Sequence, residues 1–405
     1  MSDTIDQEEY EQRLVKLAQR RRNVQVVDKK REHMNNKFAQ DNVHTADAEE
    51  DPSKLQNSWL YTGFSETIGR RRTMEDAHVI ETQYRRLADQ AVDETVKDQV
   101  FIAIYDGHGG KDAAEYVGKQ LHLTFQEKLC ALEKYMKLRD VLESEQNENT
   151  LKQLSEVAET LIPSLCKLLL TEHNRNVSIN KNKQESVAQI LDQDGHSIEK
   201  PKTPKEVELK ERSIEPIEIH SMSVEHIIPL LLRETFLVVN DKITQQNIRS
   251  GCTASVLYFD GKGLAYSANV GDSRIVCVQS DQTTFKRMTI DHRPEDPDEE
   301  RRVKDAGGFV ANRRVNAVLA VSRALGDSDL HPYVSSDPYT CTVGVKPGQC
   351  FIVACDGLWD VASDEAVINL IRDETDAQKA STCLKEHAYQ VGSTDNISVI
   401  IVKVK

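Results

Sequence analysis

The stretch Val100-Phe-Ile-Ala-Ile-Tyr-Asp106-Gly-His-Gly-Gly110 decides how the rest of this chain is interpreted. Its apolar residues predict a buried strand, and Asp106 with Gly107 predicts a tight turn at the end of that strand. The glycines let the backbone approach a ligand closely, and the Gly107 carbonyl oxygen becomes available as a ligand. Taken alone, the pattern fits a plain strand and turn as well as it fits a binding site.

The same arrangement recurs at Phe351-Ile-Val-Ala-Cys-Asp356-Gly-Leu-Trp-Asp360. One helical turn after Asp356 would bring Asp360 to the same side. Two strands that end in aspartate favour a metal site, because Mg²⁺ and Mn²⁺ prefer oxygen ligands. Further acidic residues stand at the edges of apolar runs in Met74-Glu75-Asp76, Gly271-Asp272-Ser273-Arg274 and Thr394-Asp395-Asn396. The combined pattern predicts metal-assisted phosphate chemistry.

An arginine cluster, Arg70-Arg71-Arg72, precedes the acidic pair Glu75 and Asp76 by a few residues. A cluster of surface ion pairs is the default interpretation of such a sequence. The alternative is recognition of a phosphate ester, because the guanidinium fork matches two phosphate oxygens.

Short β-rich runs alternate with helical patterns from about Trp59 onward. The predicted strands lie at 100–105, 254–259, 264–270, 275–278, 351–355 and 397–404, and the predicted helices at 111–133, 224–245, 297–306, 363–373 and 376–391. The strands outnumber a simple βαβ alternation, and Asp260-Gly-Lys-Gly263 is a hairpin signal. We therefore expect an α+β fold with a central antiparallel β-sandwich flanked by α-helices, and not a doubly wound sheet.

Two segments differ from this pattern. Residues 1–58 are rich in charge and amide, and predict a frayed helix over about 7–38 followed by a disordered linker. The segment from about 134 to 222 reads as an insertion into the domain 59–405. Its first part has helical apolar spacing, and its polar part, about 172–213, predicts disorder. A regulatory or docking role for this insertion and an inert spacer are equally compatible with the sequence.

Composition narrows the class and location of the protein. A formal net charge of -14 argues against a broad affinity for nucleic acid or membrane surfaces. The eight cysteines form no CxxC pair, and none has arginine six positions later, which excludes the C-x5-R loop of cysteine-dependent phosphatases. No apolar run is long enough for a signal or a membrane span. We expect reduced thiols, a cytoplasmic or nuclear location and a monomer.

Seven motifs together resemble the type 2C metal-dependent protein phosphatases, the PPM family. The resemblance covers about 59–133 and 223–404. The motifs are Arg71-Arg-Thr-Met-Glu-Asp76, Tyr105-Asp-Gly-His-Gly-Gly110, Ser250-Gly-Cys-Thr-Ala254, Asn269-Val-Gly-Asp-Ser-Arg274, Ala320-Val-Ser-Arg-Ala-Leu-Gly-Asp327, Cys355-Asp-Gly-Leu-Trp-Asp360 and Gly392-Ser-Thr-Asp-Asn396. Each motif is weak alone, whereas all seven in order are highly specific. The resemblance implies a four-layer αββα arrangement.

The resemblance also implies a ligand set for two Mg²⁺ or Mn²⁺ ions. Asp106 would bridge both ions. Asp356 and Asp395 would complete the first site, whereas Glu75 and the Gly107 carbonyl would serve the second. Cofactor binding would therefore depend on these oxygen ligands.

Other matched positions have different implied roles. Asp76 would not contact a metal directly but would orient a water that is bound to a metal. Asp272 and Asp360, with Asp356, match a weaker third metal site, and His108 matches a general acid that protonates the leaving oxygen.

Arg71 matches the arginine that binds phosphate, although Arg70 and Arg72 leave the register open by one residue. The stretch from about 291 to 328 matches a flap subdomain that helps to select substrates. Both features imply phosphoprotein substrates.

The function expected from the resemblance is hydrolysis of phosphoserine and phosphothreonine by a water that two metals activate. One alternative is a pseudophosphatase that uses the same fold as a binding scaffold. Another is a different two-metal hydrolase, although the acidic chain and the lack of basic patches with aromatic residues argue against a nuclease. We expect no nucleic-acid or membrane partner, and a regulatory partner, if present, at 134–222.

Overall fold

The structure is a computed structural model, and it describes residues 58–84, 98–144, 149–150, 152–166, 168–169 and 222–405. All of them belong to one unit, Glu49–Lys405. The helix and linker predicted within residues 1–57 and the disorder predicted for 172–213 lie outside the described residues. Within the described ranges, no helix has both the length and the apolar composition needed to cross a membrane.

The described chain contains fifteen strands and six α-helices with defined bounds. The strands are β1 (Leu60–Thr67), β2 (Ala77–Glu81), β3 (Val100–Tyr105), β4 (Gly107–His108), β5 (Gly251–Cys252), β6 (Ala254–Phe259), β7 (Leu264–Val270), β8 (Arg274–Val278), β9 (Phe285–Arg287), β10 (Val310–Ala311), β11 (Arg314–Val315), β12 (Leu325–Gly326), β13 (Tyr339–Gly344), β14 (Cys350–Ala354) and β15 (Ile397–Val404). The helices are α1 (Asp112–Ser144), α2 (Val224–Gln245), α3 (Pro297–Asp305), α4 (Asp356–Trp359), α5 (Asp364–Ile371) and α6 (Ala377–Gln390).

Two five-stranded antiparallel sheets form the centre of the fold. One has the strand order β13-β7-β6-β3-β2, and the other has the order β1-β15-β14-β8-β9. The two central strands of the sequence prediction, β3 and β14, therefore belong to different sheets. The predicted α+β fold with an antiparallel sandwich is confirmed, and no parallel pairing occurs between the described strands of these sheets.

The alternation of side chains along the strands explains why both sheets are covered on both faces. In β3, Phe101 packs in a core with α1 and α2, whereas its neighbour Ile102 packs in the core between the sheets. In β15, Val399 packs against α5 and α6, whereas Ile400 faces the other sheet. Successive residues of a strand point to opposite faces. The layers are therefore helices, sheet, sheet and helices.

The helices of the second outer layer begin at the residue types that favour helix starts. The Ser363 side chain accepts a hydrogen bond from the Ala366 amide at the start of α5, and Asp376 accepts from the Gln378 and Lys379 amides at the start of α6. These caps fix the outer helices on the sheet that carries β14. That strand delivers Asp356 to the edge of the sandwich.

The segment predicted to begin as an insertion at 134 is partly continuous with the core. Helix α1 runs through that position to Ser144, and residues 152–166 are helical. Leu161 and Leu165 are buried in the same core as α1 and α2. The sequence analysis predicted that this helix ends at about residue 133. The helix continues to Ser144, because its amphipathic pattern does not stop at the predicted end.

Two small sheets lie outside the main sandwich. The strands β10 and β11 form a hairpin in the flap region. The strands β4, β5 and β12 form a three-stranded antiparallel sheet. Strand β4 follows the turn after β3, and β12 lies near the end of the flap region. Because both strands pair with β5, the end of the flap region lies close to that turn.

Candidate active site

A cleft of about 300 Å³ opens where the central strands of both sheets end. Acidic residues from the predicted set line it together with an arginine and a histidine. The predicted residues in its wall are Arg71, Glu75, Asp106, Gly107, His108, Asp272, Asp356 and Asp395. Flap residues 314 and 319–321 form another part of the wall. Residues from all seven quoted motifs, including the flap motif that begins at Ala320, therefore meet in this cleft.

The turn after β3 is held in place from two directions. The Asp106 amide donates to the Thr253 hydroxyl at 3.3 Å, and the Thr253 amide donates to the Asp106 carbonyl oxygen at 2.8 Å. At Gly107 a Cβ atom would lie 2.2 Å from the Glu75 carbonyl oxygen. Only glycine permits this close approach of the two backbones.

A buried acidic group lies at the base of the cleft. Asp76, Asp106 and Cys355 each place one potential ligand atom within 4.8 Å of the others. The Ser398 hydroxyl donates to Asp76 Oδ2 at 2.6 Å. The other oxygen of this carboxylate, Oδ1, and Oδ1 of Asp356 are buried without a hydrogen-bond partner. Unpaired buried acceptors are costly, so these oxygens fit a site that receives a cation.

The pKa values of these carboxylates are raised by burial first and by neighbouring carboxylates second. The pKa of Asp356 is raised to about 6, and the charge of Asp395 adds to the effect of burial. The pKa of Asp76 is raised to about 7 by burial, although the Ser398 hydrogen bond opposes that shift. Burial and the charge of Asp356 raise the pKa of Asp106 well above its usual range. A divalent cation would offset this repulsion.

Glu75 is oriented by the loop around it. Its Oε2 accepts from the Gly110 amide at 3.2 Å, and its Oε1 accepts from the Thr73 hydroxyl at 3.2 Å. The Asn396 side chain accepts from the Glu75 amide at 2.9 Å and donates to the Thr73 carbonyl oxygen at 3.0 Å. Asn396 thus fastens the arginine loop to the turn that carries Asp395.

The structure distinguishes the three arginines. Arg71 lines the cleft, and its Nη2 lies 2.5 Å from Asp395 Oδ2. Arg70 instead lies over the ring of Tyr389, 5.7 Å from its centroid. Arg71 is therefore the arginine of this cluster that lines the cleft beside Asp395, and its role in binding phosphate stays a prediction. Its side chain is 55% exposed, so it can reach a bound molecule.

The residues predicted for a third metal are only partly together. Asp272 lines the cleft, and burial followed by the charge of Asp356 raises its pKa to about 8. Asp360 is 50% exposed and pairs with the guanidinium of Arg293, which also lies 3.4 Å from Asp272. Arg293 therefore occupies the position between Asp272 and Asp360. The sequence analysis gave this arginine no role.

The side chain of His108, which lines the cleft, contacts the carboxylate of Asp327. Its Nε2 lies 2.6 Å from Oδ2 of Asp327. Burial lowers the pKa of His108, but the charge and hydrogen bond of Asp327 outweigh burial, so the pKa is raised. Asp327 stands in the quoted motif Ala320–Asp327, but the sequence analysis assigned it no role. Spacing alone could not show that it reaches a residue more than 200 positions earlier.

The cysteines are not part of any disulfide. Four of them are buried, and Cys355 is hydrogen-bonded to the backbone beside the acidic group, because its Sγ accepts from the Ser398 amide at 3.2 Å. Burial first and the charge of Asp76 second raise the pKa of the Cys355 thiol well above its usual range. Burial and the neighbouring carboxylates thus disfavour the thiolate form that a nucleophilic cysteine needs.

Comparison with known proteins agrees with this arrangement. The sequence profile of the family described as Protein phosphatase 2C matches residues 60–164 and 164–397. The match covers most of the chain, including most strands of both central sheets and the carboxylates of the cleft. The chain belongs to the protein phosphatase 2C family.

Two curated relatives illustrate the sequence similarity. Protein phosphatase 2C homolog 1 of Schizosaccharomyces pombe is 40% identical over 187 residues, which cover 44% of this chain and 53% of that protein. Protein phosphatase 2C homolog 1 of Saccharomyces cerevisiae is 37% identical over 190 residues, which cover 42% of this chain and 67% of that protein. The chain therefore spans between half and two thirds of these relatives.

Solved structures show the same fold at lower identity. The crystal structure of serine-threonine phosphatase 2C from Toxoplasma gondii superposes with a TM-score of 0.55 at 19% identity, covering 86% of this chain and 96% of that one. The structure of a sex determining protein from C. elegans has a TM-score of 0.54 at 21% identity, and covers 86% of this chain and 65% of that one. These likenesses concern the fold alone.

Proposed function

We propose that this chain is a metal-dependent protein serine/threonine phosphatase that hydrolyses phosphoserine and phosphothreonine in protein substrates. The observation that carries the proposal is the acidic group with two unpartnered buried carboxylate oxygens, on Asp76 and Asp356, below a cleft that also holds Arg71 and His108. Family membership supports the same activity.

The donor set fits Mg²⁺ or Mn²⁺. All of the proposed ligands are oxygens, which hard divalent cations prefer. Asp106, Asp356 and Asp395 would hold one ion, whereas Asp106, Glu75 and the Gly107 carbonyl would hold the other. A weaker third ion at Asp272 would require Asp360 to leave Arg293. When bound, such cations supply Lewis acidity, since they lower the pKa of water and offset charge on a phosphoryl group.

The chain's own residues would perform the remaining tasks. Arg71, which is exposed at the mouth of the cleft, would leave Asp395 and bind two phosphoryl oxygens with its guanidinium fork. Asp76 Oδ1, which has no protein partner, would accept a hydrogen bond from the attacking water. His108 would give a proton to the departing serine or threonine oxygen. The buried Cys355 thiol would exclude bulk water from below.

Phosphate release from a phosphothreonine peptide tests the proposal. The full chain should release phosphate in the presence of Mn²⁺ or Mg²⁺ and should stop when EDTA is added. A phosphotyrosine peptide and a dinucleotide phosphodiester serve as controls for substrate class. Absence of metal-dependent turnover with every phosphopeptide, in a protein that binds Mn²⁺ by calorimetry, would contradict the proposed reaction and favour the scaffold alternative.

No observation favours the scaffold alternative or a nuclease over the phosphatase. The carboxylates that a pseudophosphatase would lack are brought together in the cleft. The regulatory partner at 134–222, the monomeric state and the cytoplasmic or nuclear location stay predictions.

A further inference from the structure

Three very short strands bring His108 and Asp327 into contact. His108 ends β4, and β4 pairs with β5, which in turn pairs with β12. Asp327 follows β12 directly, so it stands across β5 from His108. The His108 Nε2 atom and Asp327 Oδ2 are 2.6 Å apart, which is a short hydrogen bond for a nitrogen donor and a carboxylate.

Gly251 of the middle strand β5 lies so close to both side chains that a larger residue would not fit there. A Cβ atom at Gly251 would lie 2.0 Å from Asp327 Oδ2 and 2.4 Å from His108 Nε2. Both distances are far below a van der Waals contact. Any side chain at Gly251 would therefore separate the imidazole from the carboxylate, and the pair depends on glycine at this position.

The backbone of Asp327 is also unusual. Its φ is 50°, in the left-handed region that L residues other than asparagine and aspartate rarely adopt. The turn is held because the Leu330 amide donates to the Asp327 carbonyl oxygen at 2.7 Å. Strained backbone of this kind persists where the surroundings over-determine it, and it is concentrated at functional sites.

The contact also determines which ring nitrogen of His108 is left for a molecule in the cleft. Nε2 is engaged by Asp327, so Nδ1 is the nitrogen available to a molecule in the cleft. An imidazole without such a partner could rotate about its side-chain bonds or exchange its two nitrogens. A carboxylate acceptor at Nε2 prevents both, because it orients the ring and stabilises the Nε2–H form.

We propose that Asp327 is a positioning residue that holds the His108 imidazole through Nε2–H, so that Nδ1–H is directed at the leaving oxygen of the substrate. This inference rests on the proposed phosphatase function. As the bond from phosphorus to the serine or threonine oxygen breaks, its electron pair stays on that oxygen. The oxygen takes the proton from His108 Nδ1, and the neutral imidazole keeps its Nε2–H on Asp327.

Two replacements of Asp327 separate positioning from folding. Glycine accepts the φ of 50° without strain and removes the carboxylate, whereas asparagine tolerates this backbone and retains a side-chain oxygen acceptor. Alanine is unsuitable because it would add backbone strain. If Asp327 positions His108, Asp327→Gly should lose peptide turnover and Asp327→Asn should restore part of it.

The substrates should differ in how much their leaving group needs a proton. With a phosphothreonine peptide, Asp327→Gly should lower kcat by about 10- to 100-fold, which is part of the total contribution of a general acid. With p-nitrophenyl phosphate, whose leaving group is acidic, the loss should stay within about threefold. Equal losses on both substrates would overturn the proposal.

A double-mutant cycle tests whether the two residues act as a unit. His108→Ala combined with Asp327→Gly should be no slower on the phosphopeptide than His108→Ala alone. Losses that multiply in the double variant would show that Asp327 acts independently of His108, and would overturn the proposal.

A readout without turnover completes the test. In the metal-free full chain, at an alkaline pH where the imidazole has lost its Nδ1 proton, ¹⁵N shifts should show the Nε2–H tautomer of His108 in the wild type and in Asp327→Asn, and a mixture of both tautomers in Asp327→Gly. An unchanged spectrum in Asp327→Gly would overturn the proposal. Wild-type protein that binds Mn²⁺ but hydrolyses neither substrate would instead contradict the proposed phosphatase function, and the spectra would still decide the positioning.

Discussion

The carboxylates of the cleft and the carboxylate of Glu299 in the flap region have pKa values shifted in opposite directions. The cleft group, Asp76, Asp106 and Asp356, has raised pKa values, and two of its oxygens have no hydrogen-bond partner. The flap carboxylate, Glu299, is more deeply buried, with a side chain that is 5% exposed, whereas the three cleft residues are partly buried. Burial raises its pKa, but the Arg323 hydrogen bond and charge outweigh burial and lower it to about 2.

The difference lies in the partners that the chain provides. Glu299 is bound by Arg302 and Arg323 and accepts from the Ser322 hydroxyl at 2.7 Å. The cleft group has no buried arginine among its hydrogen-bond partners in the described part of the chain, since Arg71 reaches only Asp395 at the exposed rim. A carboxylate that stabilises the fold is thus neutralised by the chain itself. A carboxylate that is placed to bind a cation has no such arginine partner, so its negative charge is not neutralised by the chain.

The largest effect should come from the cleft group. Asp106→Asn should lower metal-dependent turnover of a phosphopeptide by more than about 10³-fold, or about 4 kcal/mol of barrier, because a shared ligand charge is lost. In EDTA its melting temperature should not fall, because the replacement removes a charge that burial and the neighbouring Asp356 disfavour. Turnover assays and thermal unfolding measure the two effects.

The exposed Asp298→Asn, in which the replaced carboxylate is 86% exposed, is the matched control and should change neither property. A clear loss of stability of Asp106→Asn in EDTA would contradict this expectation, because it would show that the cleft carboxylate supports the fold.

Glu299→Gln should have the reverse profile. It leaves the partly buried guanidinium groups of Arg302 and Arg323 without their buried anion, so the free energy of unfolding at pH 7 should fall by about 3 kcal/mol. Urea unfolding measures this loss. The neighbouring Glu300→Gln removes only an ion pair with Lys304 on the helix surface, and should cost less than about 0.5 kcal/mol. Similar values for the two variants would show that the flap network adds little stability.

The stability of Glu299→Gln should also depend on pH in a different way from that of the wild type. The pKa of Glu299 is lowered from 4.5 to about 2 on folding, so its contribution to stability is complete above pH 4.5 and lost as the pH falls toward 2. The stability difference between wild type and Glu299→Gln should therefore shrink by about 1.4 kcal/mol per pH unit below 4.5. Urea unfolding at pH 6, 4.5 and 3.5 tests this, and a constant difference would contradict the assigned ion pairing.

The smallest effect concerns backbone strain in the flap. Ala317 has a φ of 57°, which is unfavourable for alanine, so Ala317→Gly should raise the free energy of unfolding by about 0.5–1 kcal/mol. Ala306→Gly, at a φ of -77°, is the control and should lower stability by up to about 1 kcal/mol. If both glycine variants had a lower free energy of unfolding than the wild type, the positive φ at Ala317 would not destabilise the fold.

Much of the fold could be predicted from the sequence because its elements have local signals. The apolar run before Asp106 and the proline and aspartate around Pro297 specify β3 and the start of α3 without reference to the rest of the chain. The strand-to-aspartate turns also predicted which carboxylates line the cleft.

What the sequence could not provide were contacts between distant segments that have no periodic pattern. The Asp327 side chain meets His108 only because β5 lies between their strands, and Arg293 meets Asp360 only because the flap folds back on the sheet edge. The end of α1 was also misplaced, since an amphipathic face has no signal that distinguishes the start of an insertion from one more helical turn.

The pairing of β1 with β15 has a consequence for the biosynthesis of the protein. The strands pair residue by residue from Leu60 opposite Val404 to Thr67 opposite Ile397. A ribosome that adds about 5–20 residues per second takes on the order of half a minute to make the 300 or so residues between them. Until then β1 has no strand partner, and the turn with Asp395 does not exist. The cleft can therefore be assembled only after β15 has been synthesised.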